Sequence, residues 1–254
     1  MSNDYRPILS GTAVPPPPAY NARDAEHVPL LGEAKPFVSE CPVHERLNFA
    51  RKVYSILAAQ IGLTAILSAL FLYNADIRHV VQRNAWSVLL SSLSAFGLLF
   101  ALFAYRSVTP TNKILLFAFT LAEAYSVAVV CSFYESESVL QATILTFAVF
   151  IALTLFTLQS KMSFEGMGPF LFGSLTVVVF AGFLELFFPF SRLVDLVIAT
   201  VSAVLFCGYI VYDTYMIFVR CTVDDVVIAS VELYLDVINL FLSILRILGS
   251  ARDD

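Results

Sequence analysis

Seven stretches of this 254-residue chain are each long and apolar enough to cross a bilayer, near 53–73, 85–104, 114–133, 139–159, 169–188, 194–219 and 226–248. A spanning helix needs about 20 apolar residues to match a hydrocarbon layer of roughly 30 Å. Lipid offers no partner to a free strand edge, so each stretch must be helical. The connections are short, so sequential helices run antiparallel in a compact bundle. The chain is 59% hydrophobic and only 14% charged, whereas soluble domains are about 25% charged. The expectation is an all-α membrane protein with seven transmembrane helices. It divides into a proline-rich, disordered arm over 1–44, a seven-helix domain over 45–248 and a short polar tail over 249–254.

Composition also excludes some partners and sites. A formal charge of −5 gives no reason to expect a nucleic acid. Cys41, Cys131, Cys207 and Cys221 are scattered, without metal-ligand or disulfide spacing; they read as small hydrophobes in the packing. The first forty residues contain no apolar run, so no cleavable signal is expected and the first span serves for insertion.

Arg46, Arg51, Lys52, Arg106, Lys113, Lys161 and Arg220 flank the spans on one side, and Arg78, Arg83, Arg192 and Arg252 on the other. The seven-to-four bias predicts a cytosolic N-terminus, and seven full crossings then put the C-terminal tail on the far side. Tyr73, Trp86 and Tyr105 stand where interfacial anchors belong.

Eight of the eleven prolines fall within the arm, which has no apolar periodicity. Disorder or local polyproline II is expected. Pro17, Pro18 and Tyr20 fit a PPxY ligand of WW domains. Glu26, Leu30 and Leu31 fit an acidic dileucine signal for clathrin-adaptor complexes, and 5–8 (YRPI) fits a tyrosine-based sorting signal. Together they suggest trafficking beyond the endoplasmic reticulum, towards Golgi, endosome or vacuole/lysosome; a plain solvated tail is the alternative.

The last span carries Glu232, Asp236, Asn239, Ser243 and Arg246 among Leu, Ile, Val and Phe. Steps of 4, 3, 4 and 3 residues keep these polar groups on one helical face. Charge costs several kcal/mol in lipid, about 2.5–3.5 on insertion scales, so this face must look at protein or water. It reads as a polar helix seam or as the wall of a pathway. The sixth span adds Ser202, Tyr209 and Asp213. Asp213 and Glu232 lie about 9 Å inside the cytosolic end, with Asp236 about 6 Å deeper, at 1.5 Å per residue. Two or three carboxylates are thus expected to meet near the cytosolic mouth. Close carboxylates in a low-dielectric site do not easily ionise together, so the group shares a proton. The result is a pH-sensitive latch, with oxygen ligands for a transient calcium ion at Asp213 and Asp236. Arg106, just past the second span, is placed to hold the mouth shut, or is an ordinary positive-inside arginine.

Glu123, in mid-span, is a further pathway candidate or a protonated, hydrogen-bonded core residue. Glu185 and Asp195 read as solvated rim residues. Gln60, Thr64 and Ser68 form a line of helix-packing contacts. His27, His44 and His79 all lie outside the spans, so neither a buried base nor a metal centre is expected, and the chain does not read as an enzyme. No cofactor is expected.

"RKVYSILAAQIGLT", "FTLAEAYSVAVV", "TLQSKMSF", "LFCGYIVYDTYMIF" and "LYLDVINLFLSILRIL" resemble the Bax inhibitor/Lifeguard family, and look closest to its Lifeguard-4-like branch. The resemblance runs from about residue 46 to the C-terminus. It implies a seven-helix fold with the last helix central in the bundle, a pH-sensitive calcium leak in an internal membrane, and suppression of stress-induced cell death. It places the family's paired aspartates at Asp213 and Asp236 and its latching arginine at Arg106. Glu232 departs from the pattern, since relatives usually carry an uncharged residue there; a third carboxylate makes the pair harder to deprotonate fully.

Three functions remain open. The carboxylates gate a passive calcium leak, or they couple cation exchange to protons. Alternatively, the chain does not conduct and binds cell-death or stress-signalling proteins. Glu232, Glu123 and Asn239 belong to the pathway in the first two readings.

Overall fold

The structure is a computed structural model that describes residues 36–252, apart from Ala85, Leu186 and the side chains of Ala251 and Arg252. The PPxY, dileucine and tyrosine signals lie outside the described residues. Eight α-helices follow in order: α1 (Val43–Tyr73), α2 (Ala75–Arg83), α3 (Trp86–Ala104), α4 (Thr111–Cys131), α5 (Ser136–Gln159), α6 (Gly168–Glu185), α7 (Arg192–Val219) and α8 (Val226–Arg252). Seven of them are long and apolar enough to cross a membrane. The remaining one, α2, is a short amphipathic helix that the hydropathy pattern does not reveal. Asn74 starts it, its Oδ1 accepting from the amides of Asp76 and Ile77 at 3.1 Å each.

Two boundaries differ from those expected. Residues 36–44, assigned by composition to the arm, are ordered. They form a bridge from Phe37 to Thr222, a 3₁₀ turn over Val38–Glu40 and the first residues of α1. Val38, fully buried, donates its amide to the Cys221 carbonyl at 2.8 Å. A single buried apolar side chain and one backbone bond thus tie this segment to the α7–α8 turn, which no local composition signals. At the other end, α8 continues through Arg252, so residues 249–252 are helical and not a free tail.

The last helix occupies the centre. Of its span, 72% is buried, against at most 44% in any other helix and 6% in α6. Leu233, Tyr234, Leu240 and Leu245 have no or almost no exposure, and α8 packs on α1, α4, α5 and α7. The polar stripe cannot face lipid, and packing of the other sides of α8 on α1, α4 and α5 makes the helix central. The expected packing line on α1 is present: Gln60 donates to Thr120 at 3.0 Å, and the Thr64 and Tyr234 hydroxyls lie 2.8 Å apart.

The α7–α8 turn is short and pinned. Asp225 Oδ2 accepts from the Thr222 amide at 3.0 Å and from its hydroxyl at 2.8 Å. The two helices therefore run antiparallel, which brings the carboxylate of Asp213 to the same end of the pair as Glu232 and Asp236. Helix α6 is held mainly on α7, where glycine permits close approach. A Cβ on Gly168 would lie 2.6 Å from the Tyr212 hydroxyl, and one on Gly208 would lie 3.0 Å from Leu171. Tyr73, Trp86 and Tyr105 are exposed at helix ends, as interfacial anchors are.

Candidate functional site: a carboxylate cavity between three helices

Between α6, α7 and α8 lies a cavity of 420 Å³. Helix α6 contributes apolar side chains such as Leu175 and Val179. Helix α7 contributes Ser202, Tyr209 and Asp213, and α8 contributes Glu232, Asp236, Asn239, Ser243 and Arg246. The polar stripe thus faces an internal space. Its short members bond within α8: Asn239 donates to the Leu235 carbonyl at 2.8 Å, and Ser243 to that of Asn239 at 2.7 Å.

Asp213 and Asp236 lie within hydrogen-bonding reach of each other. Asp236 is only 5% exposed, and its Oδ2 has no hydrogen-bond partner. A buried carboxylate oxygen facing another carboxylate is satisfied when one proton lies between them. Glu232 lines the same cavity and is electrostatically coupled to both aspartates. Among the described residues no three His, Cys, Asp or Glu side chains are grouped to hold a metal ion.

Two of the sequence candidates stand apart. Glu123 is half-buried on α4 and acts on Tyr234, away from the cavity lining. Arg106 lies exposed in the turn after α3. Its charge acts on the Cys221 thiol, and it forms no ion pair with Asp213 or Asp236 among the described residues. Burial first, and then the carboxylates of Glu232, Asp225 and Asp213, push the Cys221 thiol up to about 12.

At the opposite end of the stripe, Arg246 pairs with both Glu185 and Asp195. These two acids are not the solvated rim expected from sequence: their side chains are 32% and 25% exposed. Arg246 also lines a second space of 630 Å³ with Glu135, Arg192 and Ser250. It therefore stands between the carboxylate cavity and a vestibule on the face where α8 ends. Arg192 donates to the Ser250 carbonyl there. Sequence inspection missed this cluster because Glu185 and Arg246 are 61 residues apart and only folding brings them together. A basic residue among Leu and Ile near a span end was its one visible signal.

Fold and site together define a polytopic α-helical membrane protein with an acidic cavity beside its central helix. Residues 46–253 match the family model described as "Inhibitor of apoptosis-promoting Bax1". The mouse "Protein lifeguard 4" is 47% identical over 215 residues, covering 85% of this chain and 90% of its own. The "Golgi anti-apoptotic protein" of vaccinia virus (strain Lister) is 42% identical over 211 residues, covering 83% and 89%. "Bax inhibitor 1" of Schizosaccharomyces pombe is 35% identical over 242 residues, covering 94% and 91%. The chain belongs to the Bax inhibitor/Lifeguard family.

Proposed function

We propose that this protein is a proton-gated calcium leak of a Golgi or other internal membrane, with its N-terminus in the cytosol, and that it restrains stress-induced cell death by limiting stored calcium. The observation that carries this reading is the contact of Asp213 with Asp236 at the wall of the cavity. Its biological half rests on relatives whose names include an anti-apoptotic Golgi protein and a Bax inhibitor.

A shared proton leaves the pair with one negative charge and a bridging hydrogen bond, which holds α7 against α8. Loss of that proton leaves two like charges close together in a medium of low polarity. Their repulsion favours separation of the helices, and their combined charge attracts a divalent cation with a preference for oxygen ligands. Glu232 adds a third carboxylate on the same path. At the far end, Arg246 presents a positive charge to any cation leaving the cavity; release requires it to stay on Glu185 and Asp195 or to swing aside. Arm signals for WW-domain proteins and clathrin adaptors would direct the protein to its membrane.

The test is calcium influx into dye-loaded liposomes containing the purified full chain, from pH 6 to pH 8, for the wild type and Asp213→Asn. A pH-dependent leak that loses its pH response in the variant is expected. Absence of a leak in both would overturn the conducting reading and favour a regulator that binds cell-death proteins.

A further inference from the structure

On the lipid-facing side, away from the carboxylates, three cavities follow one face of α1. The first, 530 Å³, lies at the start of the helix and is lined by Arg46, Ala50, Arg51 and Tyr54, with Leu158 of α5 and Phe218 of α7 opposite. The second, 450 Å³, shares Tyr54 and continues past Ala58, Ile61 and Gly62, with Phe147 and Ile151 of α5 as its other wall and Val237 and Phe241 of α8 as its floor. The third, 200 Å³, shares Ile61, Thr143 and Phe241 and reaches Ala65 and Ala69. The α1 positions follow at three- and four-residue steps, so they form one continuous side of a groove. Small residues leave it open: a Cβ on Gly62 would meet no atom within 4 Å.

The charges stand at one end. Helix α1 has 31 residues, about 46 Å at 1.5 Å per residue, against a hydrocarbon layer of roughly 30 Å. Its first ten residues therefore project into the headgroup layer. Arg46 and Arg51 are exposed there, beside the exposed apolar side chains of Val43 and Leu47. Among the described residues neither guanidinium has a hydrogen-bond or ion-pair partner. Glu45, the nearest acid in sequence, has its Oε1 3.9 Å from His44 Nε2 and does not line the cavity. From Tyr54 to Ala65 the groove runs about 17 Å, close to the roughly 15 Å depth of one leaflet.

We infer that this groove is a binding site for an anionic phospholipid, with Arg46 and Arg51 holding its phosphate and one acyl chain lying between α1 and α5 over Phe241. Guanidinium forks match phosphate oxygens in geometry as well as charge. The length, the apolar lining and the placement of charge at one end fit a lipid of the leaflet facing the α1 N-terminus.

The full chain, in phosphatidylcholine nanodiscs doped with phosphatidic acid, is extracted into mild detergent, and retained lipid is counted by native mass spectrometry. Retention of phosphatidic acid over phosphatidylcholine is expected. Arg46→Gln/Arg51→Gln should reduce it about 30-fold, the factor that corresponds to losing two basic contacts at an anionic surface. Gly62→Leu, which has room for its Cβ, should reduce retention while leaving the purified protein folded by circular dichroism. Lys52→Gln removes one neighbouring charge from outside the cavity lining and should change little. Equal losses in Lys52→Gln and the double variant would overturn the site in favour of diffuse surface attraction. So would equal retention of phosphatidylcholine, full competition by inorganic phosphate, or disulfide-linked dimers of Ala58→Cys showing a second copy in the groove.

Discussion

Asp236 of α8 meets Asp213 of α7 across the antiparallel pair, with one Asp236 oxygen buried and without a hydrogen-bond partner. An orphaned carboxylate oxygen in the core is costly unless a proton bridges it. Asp236→Asn provides that donor permanently. Its melting temperature in detergent should equal or exceed that of the wild type at pH 8, a change within about 1 kcal/mol. The wild type should approach the variant as the pH falls and the bridging proton is supplied. A variant much less stable than the wild type at both pH values would contradict the shared proton.

The proposed gating carries a definite sign. Deprotonation would add negative charge to the cavity and favour separation of the helices, so calcium influx should be greater at pH 8 than at pH 6. Asp213→Asn should flatten that dependence, and Glu232→Gln should shift its midpoint without abolishing it. Flux that falls as the pH rises would reverse the proposed gating.

Arg246 is held by two acids from different helices. Arg246→Gln leaves Glu185 and Asp195 partly buried without their cation. The expected cost is about 1–3 kcal/mol, less than for a fully buried pair because the three side chains retain some exposure. Basal calcium flux should rise, since the cavity and the vestibule lose the positive charge between them. Stability and flux measured on the same preparation separate loss of fold from loss of the barrier.

The Thr64 and Tyr234 hydroxyls share one buried hydrogen bond at 2.8 Å. Thr64→Val strands the phenol beside α1 and should lower stability by about 1–3 kcal/mol. Tyr234→Phe in the same background should recover part of that loss, because two apolar partners leave nothing unsatisfied. A chemical-denaturation double-mutant cycle reads the coupling; simple additivity would show that the bond contributes little.

Cys221 reports on the acids around the turn. With its thiol pushed up to about 12, its reactive thiolate is scarce at neutral pH. Maleimide labelling at pH 7.5 should be on the order of 100-fold slower or more than that of an ordinary exposed thiol. Asp225→Asn removes one opposing charge beside the thiol and should speed it. Labelling as fast as in the unfolded chain would mean that the turn does not shield the thiol.

Hydropathy and spacing by themselves determined that this chain crosses a membrane as seven helices, and that the last helix carries one polar face. Both are local properties: the length of an apolar run and the periodicity of charge within it. That carboxylates of α7 and α8 approach each other was legible too, because a short turn makes the helices antiparallel; counting inward set Asp213 level with Glu232, and the motif resemblance singled out Asp236 as its partner. The motif resemblance had already placed α8 in the middle. What no local pattern carries is which groups meet across distant helices. Arg246 was visible as a charge in a span, but its partners lie 61 residues away in one case. Glu123 and Arg106 had equally plausible local signals, yet tertiary packing sets one beside Tyr234 and the other in an exposed turn. Val38 belongs to a proline-rich stretch by composition, and a single contact with the α7–α8 turn orders it. Spans follow from the energy of transferring each segment into lipid, which sums over neighbouring residues. Sites follow from side-chain positions in three dimensions, which depend on helix rotation and tilt, and those are set by packing with the rest of the bundle.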